Sequence, residues 1–105
     1  MTENWKDVEG YDGQYQVSDL GHVRSRKYGY WRPSRLTETQ GHQVVGLYKD
    51  LKMRLWLVHR LVAIAFVPNP DGKRIVVNKD GDQTNNVPAN LVWKTYSDIH
   101  PRRAQ

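Results

Sequence analysis

A chain of 105 residues that is 38% hydrophobic and 26% charged, with 4 Trp and 6 Tyr, can fill one small core and is too aromatic for a disordered segment. The absence of cysteine excludes a disulfide scaffold, a thiol nucleophile and a thiolate zinc site. The longest apolar run, Leu61 to Val67, falls far short of the roughly 20 residues of a membrane span, and the start Thr2-Glu3-Asn4 is no secretory signal, so a soluble intracellular protein is expected.

The net charge of +5 is unevenly spread. Residues 1–20 hold five acids against Lys6 alone, whereas residues 21–60 hold nine bases against Glu38 and Asp50. A basic middle with interleaved rings is what a polyanion-binding surface needs, because each Lys or Arg on a phosphate releases counterions and planar rings stack on bases.

In chain order, Tyr15-Gln16-Val17 alternates, Asp19-Leu20-Gly21 turns, and Val23-Arg24-Ser25 alternates again. This predicts a hairpin with Arg24 and Arg26 on the face opposite Val23. Arg26 to Gln40 is polar, broken by Pro33, and reads as a mobile basic loop. Its rings Tyr28, Tyr30 and Trp31 are too crowded all to be buried. Tyr30 and Trp31, with Arg24, Arg26, Lys27, Arg32 and Arg35, form the candidate nucleic-acid contact, the bases positioning the chain on phosphates without reading sequence. Gln43 to Tyr48 and Arg54 to Leu57 predict a second hairpin across Lys49 to Lys52. Val58, Leu61, Val62, Ala65 and Phe66 fall at helical spacing until Pro68 and Pro70, giving the central helix. Ile75 to Val77 is a short strand, Asn78 to Asn86 a polar loop, and Leu91 to Trp93 the return strand. Ser97-Asp98 could start a last helix, with Pro101 awkwardly placed for it. Trp5, Tyr15, Trp56 and Trp93 are expected in the core and His59 as a buried structural imidazole; His22 and His42 are expected at the surface. The fold class is α+β: small antiparallel hairpins around one central helix, in one domain.

The stretch from Trp5-Lys6-Asp7-Val8-Glu9-Gly10-Tyr11 through Val23-Arg24-Ser25 resembles the N-terminal NUMOD-type motif of phage HNH homing endonucleases. Val58-His59-Arg60-Leu61-Val62-Ala63, Lys79-Asp80-Gly81-Asp82 with Asn85-Asn86, and Asn90-Leu91-Val92-Trp93 look like their HNH module. The resemblance divides the chain into a NUMOD-type motif over 1–50 and an HNH-like module over 55–105. It implies a C-terminal ββα-metal fold, a phage or mobile-element protein in the cytoplasm of an infected or bacterial cell, and DNA as partner. In that family a His polarises the attacking water, and a neighbouring Asp or Asn, with an Asn or His of the following helix, holds Mg²⁺ or Mn²⁺.

Residue by residue, the resemblance puts the general base at Asn78, its metal-ligating neighbour at Val77, the helix ligand at Ile99 and the loop-pinning Asn at Asn90. An amide accepts no proton at useful pH, and Val or Ile binds no hard cation. The expectation is a degenerate centre with no metal, acting by occupancy of DNA or of a host or phage protein partner, for instance as an inhibitor or modulator of a host enzyme. The alternative is an active nicking or cleaving enzyme using Mg²⁺ or Mn²⁺ at a rearranged site built from Asp80, Asp82 and His100. A third reading is a module that binds protein alone. Longer family members continue into further DNA-binding segments, so the specificity those give is expected to be missing.

Overall fold

The computed structural model describes residues 2–27 and 29–99, and in it three small antiparallel sheets flank one nine-residue helix. The first sheet joins β1 (Trp5–Asp7), β2 (Tyr15–Ser18), β3 (Val23–Lys27) and β4 (Tyr30–Pro33) in chain order. The second joins β5 (Thr37–Thr39), β6 (His42–Lys49) and β7 (Lys52–Leu57). Helix α1 (Val58–Phe66) follows, then the ribbon β8 (Ile75–Asn78) and β9 (Leu91–Lys94), and the short helix α2 (Tyr96–Ile99). This is the expected α+β architecture. No helix among the described residues is long and apolar enough to cross a membrane.

Alternation in the sequence becomes alternation in burial. In β6, Val45 and Leu47 point into the core, with Leu47 fully buried. In α1 the spacing that marks the helix buries Val58, Leu61 and Val62 together with His59 and Ala63, while Ala65 and Phe66 pack at the margin. Val17 and Val23, paired across β2 and β3, close the cluster from the N-terminal side, and Val76, Leu91 and Trp93 close it from the C-terminal ribbon. Side chains from distant segments satisfy the carbonyls at the end of α1: Lys6 donates to Ala65 O at 3.0 Å, and Trp93 Nε1 to Val67 O at 3.1 Å.

Four expectations need correction. Arg26 to Gln40 is not a mobile loop: β3 continues through Lys27, β4 pairs with it, and β5 adds an edge to the second sheet. The segment lacks apolar alternation because β4 is an edge strand. Its rings pack against arginines instead of the core, Trp31 against Arg24 and Arg26 on β3 and Tyr30 against Arg32 on β4 itself, and Pro33 is tolerated at the edge. The second hairpin extends into its presumed connection, with Lys49 opposite Lys52 around the two-residue turn Asp50-Leu51. Helix α2 starts at Tyr96 because Thr95 caps it: the Asp98 amide donates to Thr95 Oγ1 at 3.2 Å and the Thr95 amide to Asp98 Oδ2 at 2.8 Å. Finally, His42 is half-buried and stacks on His59 with ring centroids 5.4 Å apart.

Candidate catalytic corner and nucleic-acid interface

The turn between β8 and β9 is built from asparagines and aspartates bonded to one another. Asn78, only 7% exposed at the end of β8, donates from Nδ2 to Asn85 O at 2.9 Å and to Asn86 Oδ1 at 3.0 Å. Asn86 is buried and donates onward to Gln43 Oε1 on β6 at 3.1 Å. Gly21 explains how the N-terminal sheet approaches so closely. Its φ of +84° suits glycine, and a Cβ there would lie 3.2 Å from Asn86 Cβ.

Asn90 ties the loop from the other side. Its Nδ2 donates to Asn85 O at 2.8 Å and Asp80 Oδ1 at 3.0 Å, its Oδ1 accepts from the Asp80 amide at 3.2 Å, and its carbonyl accepts from the Lys79 amide at 2.7 Å. Asp80 also accepts from Asn85 Nδ2 and from the Asp82 amide, both at 2.8 Å. The Asn85 amide, then Asn90 and the Asp82 N–H, hold the Asp80 carboxyl below the usual carboxylate range. Asp82 Oδ1 accepts from the Thr84 amide and hydroxyl, the Asx-type bonding that tightens such turns. Asp80 and Asp82 are thus bound into one loop with Asn90, whereas Asn78 faces the buried side with Asn86. Val77 pairs with Val92 across the ribbon, and Ile99 closes α2. Neither offers a donor atom for a cation. His100 lies outside the described residues. No group of three His, Asp or Glu converges among the described residues.

The second site is the exposed face of the first sheet. The Arg24 guanidinium lies 4.1 Å from the Trp5 ring centre and 4.7 Å from that of Trp31, and both its Nε and Nη2 donate to Gln16 Oε1. Arg26 stacks on Trp31 at 4.6 Å, and Arg32 on Tyr30 at 5.1 Å while donating to the Tyr30 hydroxyl. Trp5, Arg24, Trp31 and Arg26 therefore form an alternating stack. Beside it runs a groove of about 520 Å³ whose walls include Trp5, His22, Arg24, Trp31 and Arg32. Arg26, Arg32 and Arg35 are exposed; Arg24 is committed within the stack. The side chain of Lys27 and all of Tyr28 lie outside the described residues. Glu3, at the rim, pairs with His22 at 2.6 Å; hydrogen bonding from Ser18 first, then His22, holds its carboxyl low.

Trp5, expected in the core, is instead half-buried on this face under Arg24, and the sequence gives no sign of Gln43 and His42 as partners of residues far along the chain. A tryptophan preceding an acidic segment gives no sign that an arginine 19 positions later will cover it. The Gln43–Asn86 contact has no local signal at all.

Comparison with known proteins fits this geometry. The NUMOD4 motif matches residues 3–52 and the HNH endonuclease family matches residues 57–100, nearly the whole chain between them. DNA endonuclease I-HmuI of Bacillus phage SP01 is 42% identical over 91 residues, which cover 87% of this chain and 52% of that protein. An HNH endonuclease of Acanthamoeba polyphaga mimivirus is 33% identical over 96 residues, 91% of this chain and 28% of that protein. A solved structure describing DNA binding and cleavage by the HNH homing endonuclease I-HmuI superposes with a TM-score of 0.79 at 40% identity, covering 92% of this chain and 55% of that one. The chain thus spans about half the length of I-HmuI. It belongs to the family of HNH homing endonucleases that carry an N-terminal NUMOD motif.

Proposed function

We propose that this chain occupies DNA without hydrolysing it, as an HNH scaffold whose catalytic corner has become structural. The observation that carries this reading is Asn78. At the general-base position stands an amide whose nitrogen is spent on Asn85 and Asn86 inside the fold. An amide cannot take a proton from water near neutral pH, and the loss of a general base alone costs roughly 10²–10⁴ in rate. The family's divalent ion does not fit the donors present. Positions 77 and 99 offer hydrocarbon, and the oxygens of Asp80 already accept three hydrogen bonds. An active centre rearranged around Asp80, Asp82 and His100 would have to break the bonds that hold the loop.

What remains is the means of binding. The basic segment, the guanidinium–ring stack and the neighbouring groove supply phosphate contacts and stacking surfaces. The test is fluorescence anisotropy on unrelated duplexes over a salt series. Binding should weaken steeply with salt, and Arg26→Glu with Arg32→Glu should weaken it about equally on every sequence and flatten the salt slope. Binding indifferent to salt, or unchanged in the double variant, would contradict occupancy through this face.

A further inference from the structure

The tip of the β6–β7 hairpin does not follow from folding. Its two-residue turn places Asp50 at φ +54° and Leu51 at φ +66°. Both values belong to the left-handed region, where such turns favour Asn-Gly and where a branched aliphatic residue is strained. Leu51 gains nothing in return from packing, since its side chain is wholly exposed at 102%. A strained, solvent-facing leucine calls for a partner outside the chain.

The rest of the hairpin end narrows what that partner is. On one face the cross-strand pairs are Val44 with Leu57, Gly46 with Leu55 and Tyr48 with Met53, with no charge among them. The opposite face pairs Lys49 with Lys52 and carries Arg54 stacked on Trp56 at 4.1 Å. The tip is therefore a narrow ribbon whose point is Leu51 beside the exposed Asp50, with an apolar flank and cations on its other side. The minor groove of duplex DNA is about 6 Å wide, with deoxyribose walls, phosphate rims and base steps at its floor, and apolar wedges entered there unstack a step and kink the duplex.

We infer that Leu51 is a wedge that enters a base step of duplex DNA from the minor groove, with Lys52 against a flanking phosphate, while Lys49 braces the strand through its bond to Gly10 O at 2.6 Å. The inference rests on the DNA-binding reading above and adds a second contact, distinct from the arginine-rich face, that deforms the duplex. Pyrimidine–purine steps, the easiest to unstack, are the expected points of entry.

The experiment compares wild type with Leu51→Gly and Leu51→Phe on a duplex carrying end dyes for energy transfer and 2-aminopurine at a central TA step. Wild type should shorten the end-to-end distance and brighten 2-aminopurine, and Leu51→Phe should do the same. Leu51→Gly relieves the backbone strain, so its thermal midpoint should equal or exceed that of wild type. It should nonetheless lose the bend and bind about tenfold or more weakly, as expected for a leucine no longer withdrawn from water. Wild type that binds without bending overturns the wedge and leaves DNA occupancy standing, whereas wild type that fails to bind at low salt overturns both. Leu51→Gly that binds and bends like wild type overturns the wedge. So does a Leu51→Gly variant whose only change is in self-association, which would assign the leucine to a protein contact.

Discussion

An amide and an imidazole are similar in size but opposite in proton chemistry, and position 78 turns on that difference. Asn78 and Asn90 both serve the loop, one from the buried side and one from the edge, so their loss should read out as stability rather than catalysis. Asn90→Ala removes the bonds to Asn85 O, Asp80 Oδ1 and the Asp80 amide and should cost about 2 kcal/mol in urea unfolding. A cost near zero would mean that the loop is held by other contacts. His59 makes a second prediction. Burial, then His42 and to a lesser degree Arg60, push its imidazole below the ordinary value of 6.5, against a pull upward from hydrogen bonding with the Val76 carbonyl. The unfolded chain therefore takes up this proton before the native state does. Stability should be full above about pH 6.5 and fall as pH drops below it, by at most about 1.4 kcal/mol per pH unit for one proton. His42 Nδ1, buried with no hydrogen-bond partner among the described residues, offers the charged ring no relief. Thermal midpoints between pH 7.5 and 5.5 check this. They should decline for wild type and much less for His59→Gln, and a flat wild-type profile would contradict it.

At the level of elements, legibility follows periodicity. Helix α1 is plain in the sequence because one stripe of its surface faces the core. The β6–β7 hairpin is plain because β-formers run along both strands. β4 and β5 are hidden because what holds them lies elsewhere: an edge pairing to β3 and guanidinium–ring contacts for β4, and a three-residue pairing to β6 for β5. The stacking of His42 on His59 is equally hidden, since it depends on how the second sheet meets α1. The two faces of the hairpin should respond differently to truncation. Leu47→Ala opens a cavity under α1 and should cost about 3 kcal/mol, while Leu55→Ala, on the exposed face, should stay within about 0.5 kcal/mol. Equal costs would mean that the exposed face is covered in the isolated protein.

Across the whole molecule, the acidic N-terminal stretch and the basic segment after it are folded into one sheet, β1 and β2 beside β3 and β4, so the charge asymmetry of the sequence is interleaved in space. The family was legible because its motifs are local in sequence: Lys79-Asp80-Gly81-Asp82, the Asn85-Asn86 pair and Asn90-Leu91-Val92-Trp93 each encode a tight turn or a strand end whose geometry few other residues satisfy. The way the first two sheets meet that turn, Gly21 from the first and Gln43 from the second against Asn86, could not be read, because the three come together only in the fold. The proposed function has the DNA-binding frame kept and the hydrolytic corner lost. The decisive assay uses supercoiled plasmid, Mg²⁺ or Mn²⁺, and two proteins: the wild type and a variant carrying Asn78→His, Val77→Asp and Ile99→Asn. The wild type should leave the plasmid supercoiled with or without EDTA, and the folded triple variant should nick it until EDTA is added. Nicking by the wild type that EDTA abolishes would contradict the claim.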